Sequence, residues 1–319
     1  MDRYPEVVTI GETMLMFAPP PFHRIEYADI FMAMIGGAEA NVAIGLQRLG
    51  VNSGWISKLV DNPLGRKILN TIRGFGVDVS RVVLTKEGRI GIFFVEFGAE
   101  PRPLRTIYDR KGSAITTFKP NEIDWEYVGH AKLLHQTGIT PALSSCCRDL
   151  TLEAAEKARE MGVKNSFDIN YRSLLWKPDE ARRILDVILP NIDILISTLS
   201  DACLMLEDEL PPETAASEMQ KKYGCEVVVI TLGEEGSIAK SDKICRGRPY
   251  HSTEVNRLGA GDAFAAGFLY GYLKKGVQAG LEYGGAMAAL KFTVPLNIPV
   301  IDKEEVDDLL KGVRGEVIR

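Results

Sequence analysis

Residues 256–264 read Asn256-Arg257-Leu258-Gly259-Ala260-Gly261-Asp262-Ala263-Phe264, and their reading decides the fold. Beyond Phe264 the chain continues Ala-Ala-Gly-Phe-Leu-Tyr-Gly-Tyr-Leu to residue 273, with the apolar spacing of a buried helix. A Gly-Ala-Gly turn that opens a helix leaves backbone N–H groups unpaired and pointing one way. Small side chains let an anion approach, and the helix dipole adds roughly half a positive charge at that end. The stretch is a cradle for phosphate, or for negative charge that develops during phosphoryl transfer. Asp262 falls in the first turn, where a carboxylate can take a proton from a hydroxyl that attacks a phosphoryl group. An aspartate there also serves as a plain helix cap or dipole partner. The rest of the chain decides between the two.

Upstream, 6–11 reads as a central strand that ends in a glycine turn, and 55–60 as a strand. Residues 14–35, with Pro19-Pro20-Pro21 inside, read as extended edge structure. Gly36-Gly37-Ala38-Glu39-Ala40-Asn41 is a second glycine pair at a helix start. It fits close backbone packing, or a sugar pressed against the glycines and held by Asn41. Asn62-Pro63-Leu64-Gly65 starts a helix that runs to Gly74. Residues 91–96 and 104–108 read as a hairpin or small sheet around a turn at 98–103; with 13–35 they would form a lid.

From residue 128 onward strands (131–136, 164–169, 192–196, 226–231) alternate with helices (149–161, 178–189, 213–223). That alternation predicts an α/β fold: a doubly wound, mostly parallel sheet flanked by helices, in one domain over 1–319 with a small β-sheet lid from about 13–35 and 86–110. The amphipathic helix at 302–311 reads as a solvated face. In open α/β sheets ligands bind beyond the carboxyl ends of the strands. The rule gathers Gly36-Gly37, 168–172, Ser197-Thr198, Thr231-Leu232-Gly233 and 259–262 at one edge. Their convergence favours the chemical reading of Asp262.

With 319 residues, 45% of them hydrophobic and 25% charged, the chain has material for a large core. A net charge of -5 argues against a nucleic-acid binder that relies on a broad basic face. No apolar run is clean enough to span a bilayer, and the start, Met1 to Glu6, has neither the basic region nor the apolar run of a signal peptide. Five cysteines, at 146, 147, 203, 225 and 245, show no zinc-type spacing and are expected reduced, as in a cytoplasmic protein. A dinucleotide oxidoreductase would need Gly-x-Gly-x-x-Gly after the first strand, and none is there.

The two glycine segments, in this order and at this separation, resemble the signatures of the ribokinase-like (PfkB) carbohydrate kinases. Within that family the likeness is to 2-keto-3-deoxygluconate kinases. It lies in 36–41, in Asn-Pro-Leu-Gly at 62–65, and in Arg-Ile-Gly-Ile-Phe-Phe at 89–94. It continues through 108–114, 137–142 and Asp-Ile-Asn-Tyr-Arg at 168–172. The resemblance implies an ATP-dependent sugar-acid kinase using Mg²⁺, with Asp262 as catalytic base and Gly259, Ala260 and Gly261 as an anion hole. It implies sugar contacts at Gly36, Gly37, Asn41, Phe93, Tyr108, Arg110 and Arg172. It places ATP against Asn170, Thr198, Thr231, Gly233, Gly236, Gly259 and Gly261, with no dedicated metal ligands.

The acid preference also has a physical basis. Arginine forks grip carboxylates, and Arg105, Arg110 and Arg172 are all expected to face the site. The chain departs from the family pattern at Asn256, often Asp; at Phe93, often Tyr; and at Thr198 and Asp201, often Asn-x-x-Glu. These departures raise a catalytically weak sugar-binding regulator as an alternative, beside a kinase of fructose, ribose or a nucleoside. The uncovered lid face predicts a homo-oligomer joined through it, dimer or higher.

Overall fold

Runs of valine and isoleucine build the centre of the molecule. The computed structural model of the chain describes residues 4–99 and 101–312. Outside the described residues lie 1–3, residue 100 within the predicted turn and lid, and 313–319 at the end of the predicted domain.

The strands are β1 (Val7–Ile10), β2 (Met14–Ala18), β3 (Met32–Gly36), β4 (Ser53–Ile56), β5 (Lys58–Val60), β6 (Val83–Thr85) and β7 (Ile92–Glu96). There follow β8 (Arg105–Asp109), β9 (Leu133–Thr137), β10 (Lys164–Asp168), β11 (Ile194–Thr198), β12 (Val227–Thr231), β13 (Ser237–Lys240) and β14 (Ile244–Gly247). The helices are α1 (Ala38–Arg48), α2 (Pro63–Gly74), α3 (Trp125–Gly129), α4 (Ser145–Glu160) and α5 (Pro178–Ile188). After them come α6 (Leu199–Leu206), α7 (Pro212–Tyr223), α8 (Ala260–Lys275), α9 (Val277–Phe292) and α10 (Lys303–Lys311).

Eight strands form one sheet in the order β14-β13-β12-β11-β10-β9-β1-β4. β4, β1, β9, β10, β11 and β12 are parallel; β13 and β14 add antiparallel to the β12 edge. Strands such as Val-Val-Val-Ile at 227–230 are buried throughout, as helices on both faces require. The antiparallel edge was not foreseen, because β13 and β14 are four residues each and carry little alternation.

A second sheet runs β3-β2-β7-β8 and draws its strands from the two stretches expected to form the lid. The expected hairpin is β7–β8, and β2 joins it in parallel through Leu15–Ile92. The strand expected over 55–60 is a correction: it breaks at Ser57. β4 stays in the main sheet, while β5 turns away to pair with β6.

The α2 start is as read: Pro63 stands in the first turn and the Asn62 side chain accepts the Gly65 N–H at 2.9 Å. α8 is apolar nearly all round and buried for most of its length. Close contact with α9 explains its glycines. A Cβ at Gly267 would lie 2.4 Å from the Tyr283 carbonyl oxygen, so only glycine lets the two backbones meet. α10, expected to lie as a solvated face, buries Val306 against the α8–α9 core. All five cysteines are free.

Candidate active site

The carboxyl ends of the main sheet and the inner face of the small sheet enclose one cavity of about 1320 Å³. Its floor is the N-terminus of α8. Gly259 has φ 81°, and a Cβ there would strike the Asn297 carbonyl oxygen at 2.2 Å. Gly261 lies beside it with nothing within 4 Å of its missing Cβ, so the first turn opens onto free space. That is the geometry an anion needs at a helix start.

Asp262 is buried at this floor. The Asn41 amide donates to its Oδ2 at 2.7 Å and to the Asn297 carbonyl at 3.3 Å, which ties α1 to the start of α8. Burial lifts the Asp262 carboxyl above the ordinary carboxylate range, opposed by the Asn41 hydrogen bond and the positive charges of Arg172 and Lys291. The residue is therefore a stronger proton acceptor than a surface aspartate. A raised carboxyl in a cleft beside a helix start suits a general base.

Two further buried acids surround it. Glu39 sits in the space a Gly11 side chain would fill, with Thr137 and Thr140 hydroxyls donating to Oε1 at 2.7 and 2.8 Å. Its carboxyl is raised to about 7 by burial, with the Asp262 charge adding to the rise. Asp168, at the end of β10, is raised to about 8 by burial and by the charges of Asp262 and Asp201. Glu39 and Asp168, both raised in part by the Asp262 charge, make a cleft that suits the positive charge of a ligand or ion.

The walls carry the residues expected to touch a sugar. Strand register pairs Phe93 with Tyr108, and the two rings stack with centroids 5.4 Å apart on the cavity side of the small sheet. Arg110 follows β8 and forms an ion pair with Glu12, whose other oxygen takes the Ser113 hydroxyl at 2.5 Å. Gly36, Gly37, Asn41 and Arg172 also line the cavity, as do Asn170, Thr198, Gly259 and Gly261. Ala260 is set in the helix turn between the two lining glycines.

Thr231, Gly233 and Gly236 stand outside the lining, on the neighbouring strand end; Thr231 is the β-register partner of Thr198. Arg105 is a correction. Side chains alternate along β8, so it points to the face opposite Thr106 and Tyr108 and does not line the cavity.

Three buried polar atoms on lining residues have no partner: Asn41 Oδ1, Asn170 Oδ1 and Arg110 Nε. Asn170 is also held at φ 42°, where side chains rarely sit, by hydrogen bonds to Asp168. Orphaned polar atoms and backbone strain in one cleft point to a ligand. Glu12, Glu39, Lys291 and Asn297 had escaped the sequence reading. Glu12 and Glu39 belong to segments whose neighbours were singled out, and the carboxyl-edge rule reaches Glu12 through the turn after β1. For Lys291 and Asn297 the sequence holds no signal.

A doubly wound sheet with a glycine cradle and a buried carboxylate at its carboxyl edge defines a phosphotransferase site. The chain belongs to the pfkB family of carbohydrate kinases, whose model matches residues 5–302. It is 39% identical over 96% of its length to a 2-dehydro-3-deoxygalactonokinase of Haloferax volcanii, covering 97% of that protein. It is 31% identical over 98% of its length to a 5-dehydro-2-deoxygluconokinase of Halalkalibacterium halodurans, covering 93% of that protein. Its fold matches the crystal structure of a 2-dehydro-3-deoxygluconokinase from Thermotoga maritima with a TM-score of 0.92, at 34% identity, covering 97% of this chain and 99% of that one. The chain is a phosphotransferase with an alcohol group as acceptor. Among the described residues no helix is long and apolar enough to cross a membrane.

Proposed function

We propose that the chain phosphorylates the terminal hydroxyl of 2-keto-3-deoxygluconate, or of a close 2-keto-3-deoxy sugar acid, with ATP and Mg²⁺ in the cytoplasm. The observation that carries the reading is that one cavity is lined both by Asp262, at the cradle, and by Arg110, after β8 of the small sheet. Asp262 suits a hydroxyl to be deprotonated, and Arg110 a carboxylate.

Asn41 occupies Asp262 Oδ2 and leaves Oδ1 to accept the proton of the acceptor hydroxyl. The N–H groups at Gly261 and Asp262 offer hydrogen bonds to phosphoryl oxygens. Bound ATP with Mg²⁺ supplies the phosphoryl group and neutralises its charge. The open cradle at Gly261 suits the nucleotide's phosphates, with Thr198 toward them, the unpaired Oδ1 acceptor of Asn170 open to a donor or cation beside them, and Thr231, Gly233 and Gly236 toward the base. Tyr108, Arg110 and Arg172 orient the sugar acid, and Phe93 packs on it without a hydroxyl contact. The small sheet acts as a lid that excludes water, and its outer face joins two copies.

The test is ADP release over a panel: 2-keto-3-deoxygluconate, 2-keto-3-deoxygalactonate, 5-keto-2-deoxygluconate, fructose and ribose. The 2-keto-3-deoxy acids should give the highest kcat/KM. A preference for fructose or ribose overturns the acid assignment and leaves the kinase standing.

A further inference from the structure

Lys291, near the end of α9, is fully buried. A buried lysine is normally paired with a carboxylate. Lys291 forms no ion pair among the described residues. Its ammonium donates instead to the backbone carbonyl of Asn256, at 3.1 Å.

That carbonyl starts the loop that ends in the glycine cradle. The Asn256 side chain spans the same loop: its amide donates to the Pro295 carbonyl at 2.8 Å, and its oxygen accepts the Leu258 N–H at 2.9 Å. The side chain at 256 is a neutral amide and adds no charge beside the Lys291–carbonyl contact. The Lys291 charge acts instead on an acid of the site. That acid is Asp262, whose ionised form Lys291 favours, and Asp262 in turn favours the ammonium. Burial draws Lys291 down to about 8, and the Asp262 charge opposes that fall.

We propose that Lys291 is a built-in cation behind the cradle, a positioning residue whose buried ammonium, bonded to the Asn256 carbonyl, fixes the Asn256–Gly259 loop and with it the place of Asp262. The proposal rests on Asp262 being the base. The other groups facing Asp262 are Asn41 on α1, Arg172 after β10, and the acids Glu39 and Asp168. Burial opposes ionisation of Asp262, while the Asn41 hydrogen bond and Arg172 support it. Lys291, which does not line the cavity, supplies the second positive charge.

The experiment compares wild type with Lys291→Met, which fills the same channel without charge, and Lys291→Gln, which keeps a donor for Asn256. Each is assayed by ADP release on 2-keto-3-deoxygluconate, or on whichever sugar of the panel the wild type phosphorylates. The readouts are kcat, KM and the acid limb of kcat. Both variants should lose roughly tenfold in kcat with KM little changed. Losing a favourable charge raises the Asp262 carboxyl further, so the acid limb should move up by about one pH unit.

Folded variants with a wild-type kcat and acid limb overturn the proposal. So does a Gln variant that fails to fold alongside Met, which would assign Lys291 to folding alone. Asp262→Asn runs in parallel. If it retains turnover, the base assignment fails; if it loses turnover while both Lys291 variants keep theirs, only the role of Lys291 fails.

Discussion

Glu12 and Arg110 lie 98 residues apart in sequence and meet as an ion pair on the cavity wall, with both side chains largely buried. The arginine proposed to grip a substrate carboxylate is thus already held by an internal one. A sugar acid must share or displace Glu12. Glu12→Gln keeps a hydrogen-bonding group but removes the competing charge. KM for the sugar acid is expected to fall about threefold to tenfold, with neutral sugars unaffected. Steady-state kinetics on both classes measures this, and a rise in KM for the acid would show that Glu12 orients Arg110 rather than competing for it.

Asp262→Asn keeps shape and removes the proton acceptor. Turnover should fall by roughly 10²–10⁴ while KM changes far less. The pH profile gives a second check. Burial raises the Asp262 carboxyl, so the acid limb of kcat should lie above the range of an ordinary aspartate. The Asn41 hydrogen bond favours the ionised form, so Asn41→Leu should move that limb to still higher pH. A limb that stays put in Asn41→Leu would separate the observed titration from Asp262.

Glu39 links the site to stability. Its folded carboxyl is raised from 4.5 to about 7, so between those values the folded state binds more protons than the unfolded one. Stability therefore falls as pH rises through that window and stays reduced above it. Asp168, raised to about 8, adds the same sign one unit higher. His135, buried and held near 3, acts oppositely, since only the unfolded chain gains its proton below 6.5. Glu39→Gln removes one contribution and leaves the others. The drop in Tm of ligand-free protein from pH 5.5 to 8, scanned at about these two values, should shrink in the variant. An unchanged drop would place another group in control.

The outer face of the small sheet presents Phe17, Phe94 and Ile107 in one row across β2, β7 and β8, with Ile107 exposed. Phe31 packs edge-on against Phe94. If this face joins two copies, Ile107→Asp should yield monomers by light scattering while the main sheet stays folded. The same variant should raise KM for the sugar more than for ATP, because the strand that carries Tyr108 also carries the interface. A dimer that survives the substitution would put the contact elsewhere.

The parts legible in sequence are those where a local rule suffices. β-branched runs between helical patterns gave the parallel sheet, and a glycine pair before an apolar run gave the cradle. Long-range pairing is a different matter. Lys291 looks like any helix-end lysine until α9 folds against α8 and carries it behind residue 256. Arg105 and Arg110 look equivalent until strand register turns one outward and leaves the other facing Glu12. Ser57 looks like mid-strand until β5 finds β6. In each case the deciding neighbour is far away in sequence.

The substrate itself rests on Arg110. An acceptor hydroxyl at Asp262 and a carboxylate at Arg110 fit a sugar acid in the cavity that both residues line. Tyr108 lies beside Arg110, with the guanidinium 5.8 Å from the ring centroid, so the side chain is held from two sides. Its Nε is buried without a partner, which leaves a donor for a second carboxylate even while Glu12 keeps Nη2. A charge-assisted contact of this kind is worth about 1.5–3 kcal/mol, or one to two decades in affinity. Arg110→Ala should therefore raise KM for the sugar acid by roughly 10- to 100-fold and leave KM for ATP nearly unchanged. Fructose and ribose, where phosphorylated at all, should lose little, since they have no carboxylate to pair. Because Glu12 is then left buried without its cation, the variant should also melt at a lower temperature, and Arg110→Ala combined with Glu12→Gln should recover that loss without recovering acid affinity. Equal loss for acids and neutral sugars would remove Arg110 from substrate selection and leave it a structural partner of Glu12.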